Sequence, residues 1–320
     1  MSIVIRPFNP TEAEYEAVVA LNNAIWPSAF STVETWQHRD KARDFLCQRE
    51  VLEKNGQIVA YGMYAQWPWS YHPRKYWIDL QLHPAYERQG IGKIYYDDLT
   101  TRLLKHDPIA FTAGTKENKP QSIRFLEKRG FKLSMREIIS ELDVKTFDET
   151  SFVGALEKVR QSGIQILSVR ELREIDPDWL AKLHEAEWLI DQDVPSPDPT
   201  IKRSLESFEK AVMGNPSLPL EAWFIAVDNG HYVGMSNVKR TGNKKKLDTG
   251  LTGVLRSHRR MGIATALKLH AIRFAKKEGI ELIETENEEN NPMYQLNVQL
   301  GFRPLPAWVE FEKTLQEEEK

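Results

Sequence analysis

A glycine-centred turn leading into a helix, followed some forty residues later by a helix ending in Gly-Phe, occurs twice in this chain. The first copy passes through Glu87-Arg88-Gln89-Gly90-Ile91-Gly92-Lys93 and ends at Gly130-Phe131; the second passes through Arg259-Arg260-Met261-Gly262-Ile263-Ala264-Thr265 and ends at Gly301-Phe302. Gly90 to Gly262 is a step of 172 positions and Gly130 to Gly301 a step of 171. Two landmarks sharing one offset to within a residue indicate an internal duplication. At 320 residues the chain is long enough for each copy to bury its own core. The expected division is a first domain over 1–145, a connecting segment over 146–163 and a second domain over 164–320.

Both copies predict the same order, β, α, α, β, β, β, α, β, α, β, hence an α/β fold with a mixed sheet flanked by helices. Thr11 and Glu14 read as a capping box opening the first helix, and Asn55-Gly56 as the turn of a hairpin. Asp228-Asn229-Gly230 repeats that hairpin in the second copy, and Gly279 follows a helix as a C-terminal cap. The polar stretch Thr146 to Ser162 reads as a helix joining the copies. Phe302 to Thr314 reads as the strand segment closing the second sheet.

The turn itself points to an anion. At the start of a helix the first backbone N–H groups lack intrahelical acceptors, and the helix dipole adds positive potential. Gly262 leaves room for a phosphate, Arg259 and Arg260 supply charge, and Thr265 adds a hydroxyl. In the first copy Arg88, Gln89, Gly90, Gly92 and Lys93 occupy the corresponding turn, with Glu87 in the place of Arg259. A Walker A loop is excluded because Gly92-Lys93 runs into Ile94, and a dinucleotide fingerprint because Tyr95 stands where its third glycine belongs.

Composition limits the remaining classes. A formal charge of −3 gives no general attraction to nucleic acid, and the single Cys47 rules out an intrachain disulfide. No His pair has helical metal spacing, so no metal is expected. The N-terminal residues lack a signal-like pattern and no apolar run reaches membrane-spanning length, which makes the cytoplasm the expected location, with no membrane partner.

These turns, together with Asn290-x-Pro292-Met293-x-x-x-Asn297-x-x-Leu300-Gly301-Phe302, resemble the GCN5-related N-acetyltransferase (GNAT) family, whose signature Q/R-x-x-G-x-G/A holds the pyrophosphate of acetyl-CoA. The second copy matches as Arg259-x-x-Gly262-x-Ala264. The resemblance implies two tandem GNAT-like domains and direct acetyl transfer from acetyl-CoA to a small primary amine. It implies a CoA site formed by Val254, Arg259 to Thr265 and Asn290, with a weaker counterpart at Leu82, Arg88, Gln89, Gly90, Gly92 and Lys93. Backbone N–H groups near Val254 and Leu82 would stabilise the developing oxyanion.

Many relatives place a Tyr acid four positions before the Gly-Phe glycine, where this chain has Leu126 and Asn297. Tyr294, one turn earlier, is the substitute acid, with Asn297 beside it. Asp248, Glu284 and Glu286 are base candidates in the second copy, and Asp79 and His83 in the first. The region between the first two helices should meet the acceptor, and Glu187, Trp188, Asp191 and Asp193 there suit a cationic amine. Chemistry is therefore expected mainly in the second domain. The competing expectation is a non-catalytic CoA-binding or regulatory module. Either is compatible with a homo-oligomer.

Overall fold

The computed structural model describes residues 3–317. It contains two compact units: one comprises the chain up to Arg136, Ser196–Ile201 and the chain from Pro306 onward, and the other Glu137–Pro195 and Lys202–Leu305.

The first unit contains β1 (Ile3–Pro7), α1 (Glu12–Ile25), α2 (Val33–Lys41), β2 (Cys47–Lys54), β3 (Gln57–Ala65), β4 (Lys75–Leu82), α3 (Ile91–Leu103), β5 (Ala110–Lys116) and α4 (Pro120–Glu127). Strand β6 (Lys132–Asp143) follows, and its residues from Glu137 belong to the second unit. The second unit continues with α5 (Val153–Gln161), β7 (Gln165–Ser168), α6 (Val169–Ile175), α7 (Trp179–Asp191), α8 (Leu205–Val212), β8 (Trp223–Asp228), β9 (His231–Arg240) and β10 (Lys246–Val254). Its last elements are α9 (Ile263–Lys277), β11 (Leu282–Glu288), α10 (Pro292–Gln299) and β12 (Arg303–Pro304), whereas β13 (Trp308–Thr314) belongs to the first unit.

Both units show the duplicated topology. In the first, β1 to β4 are antiparallel neighbours, β5 lies parallel to β4, and β13 is antiparallel to β5. In the second, β7 to β10 are antiparallel neighbours, β11 lies parallel to β10, and β6 is antiparallel to β11. The sequence assigned the final strand to the second sheet. Instead Trp308 pairs with Lys116 and Thr314 with Ala110 on β5, while β6 takes the place beside β11. Strand patterning encodes which face is buried, not which partner is chosen, and duplicated sheets offer equivalent edges.

Local chemistry explains the element ends. Asn55 and Gly56 both have positive φ, 55° and 76°, as a two-residue hairpin turn requires. Thr11 caps α1, accepting from the Glu14 N–H, but the Glu14 carboxylate accepts from the Asn9 N–H and Arg6 rather than completing the box. The full capping box is that of Ser168 and Glu171 on α6, a helix the sequence pattern missed because it directly continues a strand. In the first unit, α3 and α4 cover one sheet face, packing Tyr95, Leu99, Leu103 and Leu126 into a cluster with Phe111 of β5. Tyr15, Val18 and Trp36 of α1 and α2 cover the other. Each fully buried side chain of this kind contributes roughly 1.5–3 kcal/mol.

Candidate functional site

Within each unit the two parallel strands meet at one end and then separate. β4 pairs with β5 only at Lys75 to Trp77, opposite Ala110 to Thr112. β10 pairs with β11 only at Lys246 to Asp248, opposite Leu282 to Glu284. Beyond these rungs, β4 remains paired to β3 as far as Leu82, so its other edge turns unpaired backbone groups toward the gap. In the first unit this gap opens into a cleft of about 770 Å³, lined by Asp79 to Leu82, Gly90, Gly92, Tyr96, Asn118, Lys119 and Phe125 among others.

The turn at the mouth of the cleft is strained in the same way in both copies. Arg88 and Arg260 adopt φ of 62° and 65°, and Gly90 and Gly262 φ of 82° and 86°. Two left-handed residues separated by one position curl the chain so that successive N–H groups face inward, the geometry of an anion nest. The first i to i−4 bonds of the helices run from Ile94 to Gly90 and from Ala266 to Gly262. The N–H groups of Ile91 to Lys93, and of Ile263 to Thr265, therefore precede the helical ladder.

The surroundings of the two nests differ. No atom lies within 4 Å of where a Cβ on Gly90 would sit. At Gly262 that position is 3.7 Å from the Ala155 carbonyl oxygen, 3.8 Å from its Cβ and 3.9 Å from Val159 of α5. Val159 is buried with Ile263, Ala266 and Val254, and Lys158 Nζ donates to the Arg260 carbonyl at 3.5 Å. The helix read from sequence as a connector thus packs on the second nest. Arg259 folds back along its own strand while remaining exposed, donating to the Val254 carbonyl at 3.1 Å and pairing with Asp193, which also accepts from Arg256. The hydrogen bond from Arg256, then burial opposed by the charge of Arg259, leaves the Asp193 carboxyl below its ordinary range. The residue expected to hold pyrophosphate and one expected to hold the acceptor are partners of each other.

The faces of β4 and β10 that look toward the first helices also differ. Trp77, Asp79 and Gln81 alternate onto one face of β4. Asp79 accepts from Gln81 Nε2 at 2.8 and 3.0 Å, and Gln81 Oε1 accepts from the indole N–H of Trp26, at the end of α1, at 2.7 Å. Burial raises the Asp79 carboxyl to about 6, only partly opposed by hydrogen bonds from Gln81 and the Leu80 backbone. The matching face of β10 carries Leu251 and Gly253. Leu251 packs into the core around Ile190, and a Cβ on Gly253 would lie 2.2 Å from Ile190 Cγ2. A carboxylate in the first unit corresponds to an apolar plug in the second.

The remaining sequence candidates fall as follows. Asn297 is fully buried and donates to Asn287 Oδ1 at 2.6 Å; Tyr294 is half-buried on α10 and Glu286 exposed on β11. Asn290 is exposed and bound to Glu288. Burial raises the carboxyls of Glu187 and Asp191, Glu187 lying 3.4 Å from Arg203, and Trp188 is half-buried beside them on α7. In the first unit Leu82 lines the cleft, Gln89 receives Lys54 at 2.6 Å, and Lys93 pairs with Asp97 at 2.5 Å. His83 caps its own turn, accepting from the Ala85 N–H at 3.1 Å. Gln81 was not singled out for the site from sequence. The signal available was two polar residues, Asp79 and Gln81, alternating on an otherwise apolar strand. Among the described residues no group of three or more His, Cys, Asp or Glu side chains could hold a metal ion, and no helix is long and apolar enough to cross a membrane.

A duplicated splayed-strand fold with an anion nest at the start of α3 and of α9 defines a class of acyl-CoA-binding proteins, and comparison with known proteins agrees. The model of the acetyltransferase (GNAT) family matches residues 13–131 and again 181–302, so this chain belongs to the GNAT family, with two such domains in tandem. Membership makes it an acyl-CoA-dependent N-acyltransferase in general terms. No curated protein sequence matches it. Among solved structures it resembles a tandem GNAT protein from the clavulanic acid biosynthesis pathway, with 20% identity, TM-score 0.74, and coverage of 99% of this chain and 100% of that one. A GCN5-related N-acetyltransferase from Sphaerobacter thermophilus aligns at 16% identity and TM-score 0.68, over 98% and 96% of the two chains. Saccharomyces cerevisiae N-myristoyltransferase, solved with myristoyl-CoA, aligns at 13% identity and TM-score 0.61, over 97% and 78%. These likenesses establish the fold.

Proposed function

We propose that this protein transfers an acetyl group from acetyl-CoA to the primary amine of a small acceptor, and that the first unit holds the donor and performs the chemistry. The observation that carries this reading is the open nest at Gly90 leading into a cleft that contains Asp79. The family supplies the donor class, and the residues present suit it. The N–H groups of Ile91 to Lys93 would receive pyrophosphate, and the free edge of β4 beyond Trp77 would receive the amide-bearing arm. A CoA thioester supplies an activated acyl carbon when bound.

Asp79 and the backbone of β4 serve the proton transfer and the developing charge. The acceptor arrives as an ammonium and gives one proton to Asp79, whose carboxyl near 6 is ionised at neutral pH yet basic enough to accept it. The amine nitrogen then bonds to the acyl carbon as the C–S bond breaks, its electron pair leaving on sulfur. The second amine proton goes to that sulfur, and Asp79 returns its proton to solvent. Backbone N–H groups at the end of β4, near Leu82, face the developing oxyanion. The cationic acceptor suggested by Glu187, Trp188, Asp191 and Asp193 would belong to the second unit, where Asp193 is already paired with two arginines.

A second reading has one observation in its favour. Leu126, at the place of the usual tyrosine acid, is buried, so that position offers no proton donor for a CoA-binding module that has lost turnover. CoA release measured over a panel of primary amines separates the two. The expected result is amine-dependent release that rises through about pH 6 in the parent protein and loses that rise in Asp79→Asn. Acetyl-CoA binding without release for any amine would favour the module.

A further inference from the structure

We infer that the acceptor is an amine that also carries a carboxylate, an amino acid or close analogue, read by Lys116 and Lys119 beside Trp26. The inference rests on the first-unit site proposed above. Lys116 ends β5 and Lys119 stands just before α4, and their ammonium groups lie 5.9 and 5.2 Å from the centroid of the Trp26 ring. The same indole donates to Gln81, which donates to Asp79. Trp26 therefore bridges the separated ends of β4 and β5, with the base on one side and two cations on the other.

Neither lysine has a carboxylate within ion-pair distance among the described residues. The carboxylate between them in sequence, Glu117, is engaged by Arg136 at 2.9 Å and by the Ala307 N–H at 2.8 Å. Two ammonium groups held over one ring, without a counter-ion and beside a cleft, form a site for an anion. The donor's phosphates have other cations available: Arg88 at the nest, Arg124 on α4 and Lys128 just after it, all lining the cleft. An acceptor carrying both charges satisfies both ends of this arrangement, its ammonium reaching Asp79 and its carboxylate the lysines. Trp308, 6.2 Å from Trp26 and stacked over Gly114 of β5, adds a second indole against which an apolar side chain can lie.

The test compares matched pairs of acceptors differing only in the carboxylate, such as phenylalanine with phenethylamine and tyrosine with tyramine, under saturating acetyl-CoA. The parent protein should favour the carboxylated member at least tenfold in kcat/KM. The double variant Lys116→Met, Lys119→Met should reduce that preference about tenfold or more through the acceptor KM. A folded double variant with an unchanged preference, a parent protein that prefers the decarboxylated amines, or a rise confined to the KM for acetyl-CoA would each overturn the inference while leaving N-acetyl transfer standing. Absence of transfer to every amine tried would instead overturn the underlying function, and this inference with it. Should the double variant fail to fold, Lys119→Gln alone is to be read on the same ratio.

Discussion

The two nests share a backbone and differ in what surrounds them. Both present left-handed residues at the same two positions, and both open a helix beside a pair of separating parallel strands. Around Gly90 the space is free, and the adjoining strand carries a desolvated carboxylate. Around Gly262 the space is approached by α5, the arginine of the signature is turned back onto its own strand, and Ile190 lies against Gly253. A signature match therefore reports a turn conformation, since left-handed residues and a helix start are what the motif encodes. Whether that turn is available to a ligand depends on side chains distant in sequence.

The largest expected effect that could break this comparison is at Asp79. Asp79→Asn should lower kcat by roughly 10²–10⁴, the usual contribution of a positioned base, while Glu286→Gln in the second unit stays within about twofold. Stability should move the other way. The folded chain holds the Asp79 carboxyl near 6, above its ordinary 3.8, so it binds this proton more readily than the unfolded chain does. The resulting stabilisation is present below pH 3.8 and lost as pH rises through 6, and at neutral pH a buried charge remains. Asp79→Asn should therefore melt higher at pH 7 although it is less active, as expected where function costs stability. A lower melting temperature would show that Asp79 is instead a structural hydrogen-bond acceptor.

Lys268 on α9 gives a smaller effect confined to the second unit. It is 3% exposed, its Nζ lies 5.5 Å from the Phe302 ring, and burial lowers its pKa to about 8 from an ordinary 10.5. Between those values the unfolded chain binds more protons, so stability should rise with pH from about 8 to 10.5. Lys268→Met should raise stability at pH 7 by roughly 1–3 kcal/mol and flatten that rise, read from urea melts at several pH values. An unchanged pH profile would mean that Lys268 reaches solvent.

The smallest effect concerns Arg259. If its partners are Asp193 and the Val254 carbonyl, Arg259→Ala should change the KM for acetyl-CoA by less than about threefold and cost about 1 kcal/mol of stability. A tenfold rise in that KM would restore it as a phosphate ligand.

Much of the fold was legible because its determinants are local. Periodicity located the main strands and helices, Asn55-Gly56 and Asn229-Gly230 marked hairpins through their positive φ, and the repeated glycine turns revealed the duplication. The partner of β13 was not legible, because both final strands carry similar patterns and the choice between equivalent edges is made by tertiary packing. The site was legible as far as its backbone. Its surroundings were not, because the packing of α5 on Gly262, the pairing of Arg259 with Asp193 and the raised Asp79 carboxyl all arise from contacts between residues far apart in sequence. Asn297 shows the same limit, since its place in the Gly-Phe motif suggested a site while its side chain holds Asn287 within the second unit.

The most direct measurement is calorimetric titration of acetyl-CoA into the parent protein and into Gly90→Glu and Gly262→Glu, each first confirmed folded by circular dichroism. The expected result is one site per parent chain, a loss of affinity of at least a hundredfold in Gly90→Glu, and unchanged affinity in Gly262→Glu. Binding retained in Gly90→Glu and abolished in Gly262→Glu would place the donor in the second unit and contradict the assignment of chemistry to the first.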